Sequence, residues 1–273
     1  MTMKRFLKKS ALLGTACLLC TTMFCFSCKG KLGSKTNVAS ETENTEAISL
    51  DTINVKEYSD SVYLVEYHME CFKNNTPLCN YINAQITSFI TNGNANGNNV
   101  RESIQQVAKS EIEKVKENAM ELDLADAVYN DPLFYIIKKG AFEKDCADSV
   151  WAYTTKVEDF MGGAHGSYQI NTYNFSKTSG KLIELGQVLN LDKSDEIIEL
   201  LTTQLIKDMN CTTVEQLMEE TALLTLSDMY VSNDFHLGKN GITFRYGQYS
   251  IGPYSAGITE ITLSYASLKN YMY

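Results

Sequence analysis

Two types of hydrophobic spacing alternate along the chain and predict a mixture of strands and helices. Every second residue from 63 to 71 is apolar, which is the pattern of a half-buried strand. Apolar residues then recur at steps of three and four between residues 78 and 90 and again between 100 and 119, as on one face of a helix. We therefore expect one strand followed by two amphipathic helices.

The rest of the chain predicts sheet, helix and sheet in turn. β-Branched and aromatic residues are enriched in three expected central strands, at residues 133–137, 150–157 and 168–175. Helical spacing returns in two segments, at residues 197–206 and 214–222. The last strands are a hairpin across a Gly-Lys-Asn-Gly turn and a final alternating segment, at residues 235–244 and 259–265. The pattern indicates an α+β fold with two α/β subdomains, whose mainly antiparallel sheets are packed by helices.

The first segment has the layout of an export signal. Basic residues within the first nine positions precede an acid-free apolar stretch over residues 11–26. The stretch ends at Ser27-Cys28, and a small residue directly before a cysteine resembles the bacterial lipobox, whose cysteine becomes the lipid-modified first residue of the mature chain. Cys28 is the expected attachment site, and Cys17, after a shorter apolar stretch, is an alternative. An uncleaved membrane anchor is the other interpretation.

These features divide the chain into four expected parts. They are a lipoprotein signal peptide at 1–27, a flexible tether at 28–55, an N-terminal α/β subdomain at 56–158 and a C-terminal domain at 159–273. We expect the protein to be lipid-anchored in a bacterial cell envelope and to face the periplasm or the cell exterior.

The charge of the chain argues against nucleic acid as a partner. The formal net charge is −9 and the pI is about 5.0, whereas binding a polyanion requires clustered Lys and Arg. Residues 1–27 contain 4 basic and no acidic side chains, so cleavage would lower the formal charge to −13.

The cysteines beyond the signal leave two interpretations open. They are Cys71, Cys79, Cys146 and Cys211. Cys71 and Cys79 bracket a turn-rich loop that a disulfide could close in an oxidising envelope, and the alternative is four buried thiols. No CxxC pair lies in this part of the chain, which gives no support for a zinc ribbon or a thioredoxin-type site.

The histidines indicate neither a metal nor a cofactor. His68, His165 and His236 are too far apart for an HExxH motif or another local two-histidine site. His68 and His236 fall on the polar faces of expected strands, so we expect both to be solvated surface histidines. No GxSxG, Walker or Rossmann motif is found in the sequence, and we expect no catalytic residue.

Two local clusters are candidates for function. Gly162-Gly163-Ala164-His165-Gly166 places one titratable side chain among glycines, and its alternative interpretation is a tight turn between strands. Residues 246–257 form a loop dense in Tyr, Ser and Gly, which is typical of a recognition surface because Tyr brings a large area with a polar tip. The expected ligand-binding residues are Gly162, Gly163, His165, Gly166, Tyr249, Pro253, Tyr254 and Gly257.

Several motifs in order resemble a known extracytoplasmic domain of unknown function. They are GGAHG at 162–166, Ser179-Gly180-Lys181, Phe235-x-Leu237, Gly241-Ile242-x-Phe244 and Tyr249-x-Ile251-x-Pro253-Tyr254-x-x-Gly257. This arrangement is similar to the C-terminal half of RsiV-type anti-sigma factors, over about residues 159–268. Residues 58–158 are similar to the PdaC-type domain that usually precedes it.

The resemblance implies an α/β binding module, which in RsiV-type proteins binds lysozyme and triggers release of a sigma factor. Few residues precede the apolar stretch here, so we expect no sigma-binding segment, and the catalytic deacetylase partner of PdaC-type proteins is not found in the sequence. We expect a lipid-anchored, non-enzymatic binding or sensor protein, for a protein or glycan ligand such as a lysozyme-like muramidase. The alternative is a cell-wall glycan hydrolase or deacetylase-type enzyme that uses His165, which should then lie in a pocket near an Asp or Glu.

Overall fold

The structure, a computed structural model, describes residues 48–95, 99–119, 132–225 and 227–273. The first sheet has five strands: β1 (Leu50–Ser59), β2 (Tyr63–Phe72), β3 (Phe134–Phe142), β4 (Val150–Phe160) and β5 (Ser167–Ser176). Their spatial order is β1-β2-β3-β4-β5. The β2–β3 pair is parallel and the other neighbouring pairs are antiparallel.

Two helices, α1 (Pro77–Ile90) and α2 (Val100–Asn118), cover one face of this sheet. Each begins where the sequence supplies a cap. The Thr76 hydroxyl accepts a hydrogen bond from the Cys79 amide at 3.2 Å, and Asn99 does the same for the Glu102 amide at 3.2 Å. The apolar stripes of both helices pack with Val65, Tyr67, Met69 and other strand residues into a first hydrophobic core.

A second, antiparallel sheet contains β6 (Phe235–Leu237), β7 (Gly241–Tyr246) and β8 (Thr259–Ser264) in that order. It packs with α3 (Ser194–Asp208), α4 (Val214–Thr221) and the short α5 (Tyr265–Leu268). Leu201, Leu205, Phe244 and Ile261 are fully buried in this second core. The α+β class with two helix-packed, mainly antiparallel sheets is therefore confirmed.

The expected domain limits need correction at both ends of the first sheet. The tether was expected to reach residue 55, but β1 begins at Leu50, and every residue of this edge strand is paired with β2. The boundary expected at 158/159 falls inside β4, and β5 adds a further strand to the same sheet. All described residues lie within one compact unit, Glu46–Tyr273, which holds both cores.

Of the two interpretations of the cysteines, the structure has the buried thiols, and the candidate disulfide between Cys71 and Cys79 is not formed. Both are buried free thiols, as are Cys146 and Cys211. The turn between β2 and α1 is closed by an amide instead, because the Asn83 side chain accepts from the Phe72 amide and donates to the Phe72 carbonyl, each at 2.8 Å.

Candidate functional site

The structure brings the two candidate clusters together. The ring of His165, in the glycine-rich turn at residues 162–166, stacks on the ring of Tyr254, in the tyrosine-rich loop at residues 246–257. The ring centroids are 3.8 Å apart and the planes differ by 22°. The Tyr249 hydroxyl lies 3.3 Å from His165 Nε2, and the Tyr249 and Tyr254 rings lie 5.9 Å apart. We call His165, Tyr249 and Tyr254 the aromatic site.

The glycine-rich turn connects β4 to β5 and holds His165 outside the sheet. Gly162 and Gly163 have φ values of 97° and 93°, a region that L side chains rarely adopt. A Cβ on Gly166 would lie 2.5 Å from the Asp159 carbonyl oxygen, so this position has no room for a side chain. The Ser167 hydroxyl donates to the Asp159 carboxylate across the turn. The tight-turn interpretation is therefore confirmed, and the turn also positions a site residue.

Backbone geometry in the tyrosine-rich loop presents its two tyrosines. Tyr249 has a φ of 63°, which is uncommon for a residue with a side chain. Pro253 precedes a short 3-10 turn over Tyr254–Ala256, and Gly257 ends that turn with a φ of 66°. Pro253 and Gly257 therefore shape the loop, and the two tyrosines supply its rings.

Buried and hydrogen-bonded residues hold the tyrosine-rich loop against the rest of the molecule. Ile251 is only 1% exposed and belongs to the second core. The Gln248 side chain accepts a hydrogen bond from the Tyr168 amide of β5 at 3.0 Å. Ile251 and Gln248 therefore anchor the loop, while the Tyr249 side chain remains 55% exposed.

The hydrogen bonds of His165 do not involve a carboxylate among the described residues. Its Nδ1 lies 3.0 Å from the Gly166 carbonyl oxygen, and its Nε2 faces the Tyr249 hydroxyl. His165 is itself exposed. Hydroxyl, imidazole and aromatic ring surfaces thus meet at an open part of the molecule.

The sequence did not single out a pair formed by Tyr135 of β3 and Glu158, which lies near the end of β4. The Tyr135 hydroxyl donates to Glu158 Oε1 at 3.2 Å. Burial and then the Glu158 carboxylate raise the pKa of Tyr135, to which Tyr254 also contributes. The Tyr135 hydroxyl is therefore a hydrogen-bond donor at neutral pH. Glu158 is the cross-strand partner of Ile137, which follows Tyr135 by two residues on the same face of β3. This pairing depends on the strand register, which the sequence alone does not give.

A groove of about 460 Å³ runs from the tyrosine-rich loop along the edge of the first sheet. Its lining residues are Lys156, Tyr168, Ile170, Gln248, Gly257, Ile258 and Glu260. The groove therefore begins beside the aromatic site, because Gln248 and Gly257 belong to the same loop as Tyr249 and Tyr254.

The expectation that His236 is a solvated surface histidine is wrong. Its side chain is buried between the sheets, and its Nε2 has no hydrogen-bond partner in the part of the chain that the structure describes. Burial lowers the pKa of His236. His68 remains partly exposed, but it is held by the Glu66 carboxylate and by Asn54 Oδ1, which lies 2.5 Å from its Nδ1.

Metal and membrane features were also sought within the described residues. No group of three or more His, Cys, Asp or Glu side chains is arranged there to hold a metal ion. No helix in those ranges has the length and apolar character needed to cross a membrane. The expected lipid attachment site, Cys28, lies outside the described residues.

Comparison with solved structures shows the fold. The chain is similar to the crystal structure of a DUF3298 family member from Bacteroides fragilis NCTC 9343, with a TM-score of 0.72 and 19% identity over 83% of this chain and 94% of that chain. It is also similar to a DUF3298 family protein from Pseudomonas aeruginosa PAO1, with a TM-score of 0.58 and 13% identity over 84% of this chain and 95% of that chain. A search of curated proteins found no match.

The family comparison covers the second sheet, its helices and the tyrosine-rich loop. The matching family is described as "Protein of unknown function (DUF3298)", over residues 188–266. His165 precedes that segment, so the aromatic site combines a residue outside the matched region with Tyr249 and Tyr254 inside it. The chain therefore contains a DUF3298 domain at residues 188–266.

Proposed function

We propose that this protein is a lipid-anchored, non-enzymatic binding or sensor protein of the bacterial cell envelope. In this proposal the aromatic site contacts a protein or glycan ligand, and a lysozyme-like muramidase is the first ligand to test. The observation that carries the proposal is the meeting of His165 and Tyr249, which are 84 residues apart in sequence, at one exposed surface.

The composition of the aromatic site suits recognition. Tyr side chains provide a large contact area with a polar tip and lose few torsions on binding, and they are enriched among residues that dominate binding energy. The stacking of His165 on Tyr254 fixes both rings before a ligand arrives. A pre-ordered surface loses less conformational entropy on binding, which favours affinity.

The surroundings of His165 favour binding over catalysis. A general acid or base is usually oriented by a second group, often a carboxylate. Here the groups within hydrogen-bond distance of His165, among the described residues, are the Gly166 carbonyl and the Tyr249 hydroxyl. We therefore propose a role in ligand contact for His165.

Charge and resemblance together favour a basic protein ligand. The formal charge of the chain after removal of residues 1–27 would be −13, and opposite charge accelerates encounter between proteins. The similarity to RsiV-type proteins implies that the ligand is a lysozyme, and secreted lysozymes of the familiar type are basic. Charge supplies attraction at a distance, and the aromatic site supplies specificity.

Calorimetric titration of the purified protein with such a lysozyme, at moderate and high salt, tests this proposal. We expect Tyr249→Ala or Tyr254→Ala to weaken binding by about 1–3 kcal/mol, mainly through faster dissociation. Tyr81→Ala is the matched control, because Tyr81 is 47% exposed on α1, away from the aromatic site. Binding that vanishes at high salt and ignores both site substitutions would contradict the proposal.

The lipid anchor has a separate test. Cys28→Ser removes the thiol that would carry the lipid, so we expect the variant to leave the membrane fraction or to remain unprocessed. Fractionation and mass spectrometry of the mature N-terminus give the readout. A Cys28→Ser protein that is processed and fractionates like the parent would exclude attachment at this residue.

A further inference from the structure

Two lysines face each other on the open side of the first sheet. Lys139 of β3 and Lys156 of β4 are direct cross-strand partners, and both are exposed. Successive residues of a strand point to opposite faces, and Lys138 contacts Glu111 of α2, so Lys139 points away from the helices. Like charges directly opposite each other destabilise a sheet.

Neither ammonium group is neutralised by the protein. Within the described residues, neither Lys139 Nζ nor Lys156 Nζ makes an ion pair or a side-chain hydrogen bond. This differs from their neighbours: Lys138 lies 2.7 Å from Glu111, and Lys56, farther along the same sheet, lies 2.9 Å from Glu66. Acidic residues outnumber basic ones by 33 to 24 in this chain, so an unpaired lysine pair is not explained by a shortage of carboxylates.

Both lysines line a cavity of about 380 Å³ on that face. Its other lining residues include His68, Glu70, Ala141, Phe142, Glu143 and Thr154. This volume lies in the range of small-ligand sites, which combine an apolar lining with a few polar groups that fix the ligand. Lys156 also lines the groove beside the tyrosine-rich loop, so the two concave regions adjoin.

The other charged groups of the cavity are already engaged. Glu70 accepts a hydrogen bond from the Phe142 amide at 2.9 Å. Glu143 accepts from Thr154 at 2.6 Å and contacts Arg245 at 3.3 Å. His68 is held by Glu66 and Asn54, as described above. The two lysine ammonium groups are therefore the charged donors of this cavity that remain available to a ligand.

We propose that Lys139 and Lys156 form an anion-binding subsite that takes the carboxylate or phosphate of a small organic ligand, about the size of one sugar residue. The ligand's negative charge replaces the missing protein carboxylate and relieves the repulsion between the two ammonium groups. The rest of the ligand packs against Ala141, whose side chain lies on the same face of the sheet as Lys139. This subsite is independent of the ligand that the aromatic site binds.

The test is calorimetric titration of the full-length protein, in neutral detergent, with three probes. Galacturonic acid carries a carboxylate, and inorganic phosphate is the other anion to be tested. Galactose is the neutral control for galacturonic acid. We expect at least one of the two anions to bind. If the site recognises the carboxylate, galactose should bind at least about tenfold more weakly than galacturonic acid. Binding of phosphate alone would identify phosphate as the source of the anion.

Variants separate an anion subsite from a structural role. We expect Lys139→Gln or Lys156→Gln to weaken binding of the anion about tenfold, with Lys139→Arg retaining it and exposed Lys181→Gln as the matched control. Because each Gln variant removes a like-charge contact, its thermal midpoint should stay equal or rise. Absence of binding by both anions, or equal binding in the Lys139→Gln, Lys156→Gln double variant, would overturn the proposal.

Discussion

Gly166 positions the side chain of His165, because a residue with a side chain would not fit between β4 and β5 at this point. The residue lies directly after His165, and its Cα approaches the Asp159 backbone so closely that a Cβ would be 2.5 Å from the carbonyl oxygen. Phe160 is also near, at 3.7 Å from the same Cβ position. The close approach of β4 and β5 at this point therefore fixes the position of His165, which lies in the turn just before β5.

Gly166→Ala should therefore destabilise the protein and weaken ligand binding. We expect a loss of about 1–3 kcal/mol in the free energy of unfolding, because the strand backbone must move to accept the methyl group. Gly186→Ala is the control, since its Cβ would meet only Leu191 Cδ1 at an ordinary 3.6 Å. Urea unfolding of both variants measures the difference, and equal stabilities would contradict this role of Gly166.

His236 is a buried histidine whose neutral form is favoured. Burial is the main reason for its lowered pKa, and Arg245 acts in the same direction. The carboxylates of Glu143, Glu260 and Asp145 act in the opposite direction but do not outweigh burial. The unfolded chain, in which this side chain has a pKa near 6.5, therefore binds a proton more readily than the folded protein does.

This difference should make stability fall as the pH falls below about 6.5, until the pH reaches the lowered pKa of the folded protein. His236→Gln should remove that part of the pH dependence, which for one proton is at most about 1.4 kcal/mol per pH unit. Urea unfolding of the parent and the variant between pH 5 and pH 8 provides the measurement. Parallel stability profiles for the two proteins would show that His236 does not contribute.

At the scale of elements, a buried ion pair fixes α2 against the first sheet. Lys138 Nζ of β3 contacts Glu111 Oε1 at 2.7 Å, and the Tyr67 hydroxyl of β2 donates to Glu111 Oε2 at 2.5 Å. Burial, together with the Glu111 carboxylate, raises the pKa of Tyr67, so its hydroxyl remains a donor. The Glu111 carboxylate thus has a partner on each of two neighbouring strands.

Glu111→Ala should leave the Lys138 ammonium buried without a counter-charge. We expect a loss of about 3–5 kcal/mol in the free energy of unfolding. Glu113→Ala on the same helix is the matched control, because Glu113 is 66% exposed and lies 3.9 Å from Lys116, and its effect should stay within about 0.5 kcal/mol. Similar losses for the two variants, measured by urea unfolding, would show that the pair is not important for stability.

The ion pair between Lys138 and Glu111 explains why the sequence predicts most elements but makes β3 too short. The helices and most strands follow from apolar spacing, and their bounds agree closely with α1 to α4 and β4 to β8. β3 was expected to end at residue 137, but it continues through Lys138 and Lys139 to Phe142. A buried lysine is compatible with a strand only when a distant residue neutralises it, and Glu111 is 27 residues away.

The edge strand β1 was missed for a different reason. Apart from Ile53 and Val55, its side chains are exposed or only partly buried, so its sequence resembles a polar tether. Its pairing with β2, which no local pattern records, holds it in the sheet.

At the scale of the whole molecule, the candidate site depends on which segments the fold brings together. Each cluster could be identified from its composition, because glycines around one histidine and a loop rich in tyrosine are unusual locally. Their contact, and the cross-strand pairing of Lys139 with Lys156, depend on strand register and on the packing of two sheets. Apolar spacing predicts elements but not these long-range arrangements.

The whole account depends on ligand contact at the aromatic site, and a hydrogen-exchange footprint tests this most directly. The purified protein would be followed by mass spectrometry with and without a basic lysozyme, and in parallel with soluble peptidoglycan fragments. We expect slower amide exchange in the peptides that contain residues 162–168 and 246–257. Exchange in α1 should stay unchanged, because this helix covers the face of the first sheet that lies away from the groove beside the tyrosine-rich loop. If neither ligand binds, or if a bound ligand protects other surfaces and leaves both of these segments unchanged, the proposed function of the aromatic site is wrong.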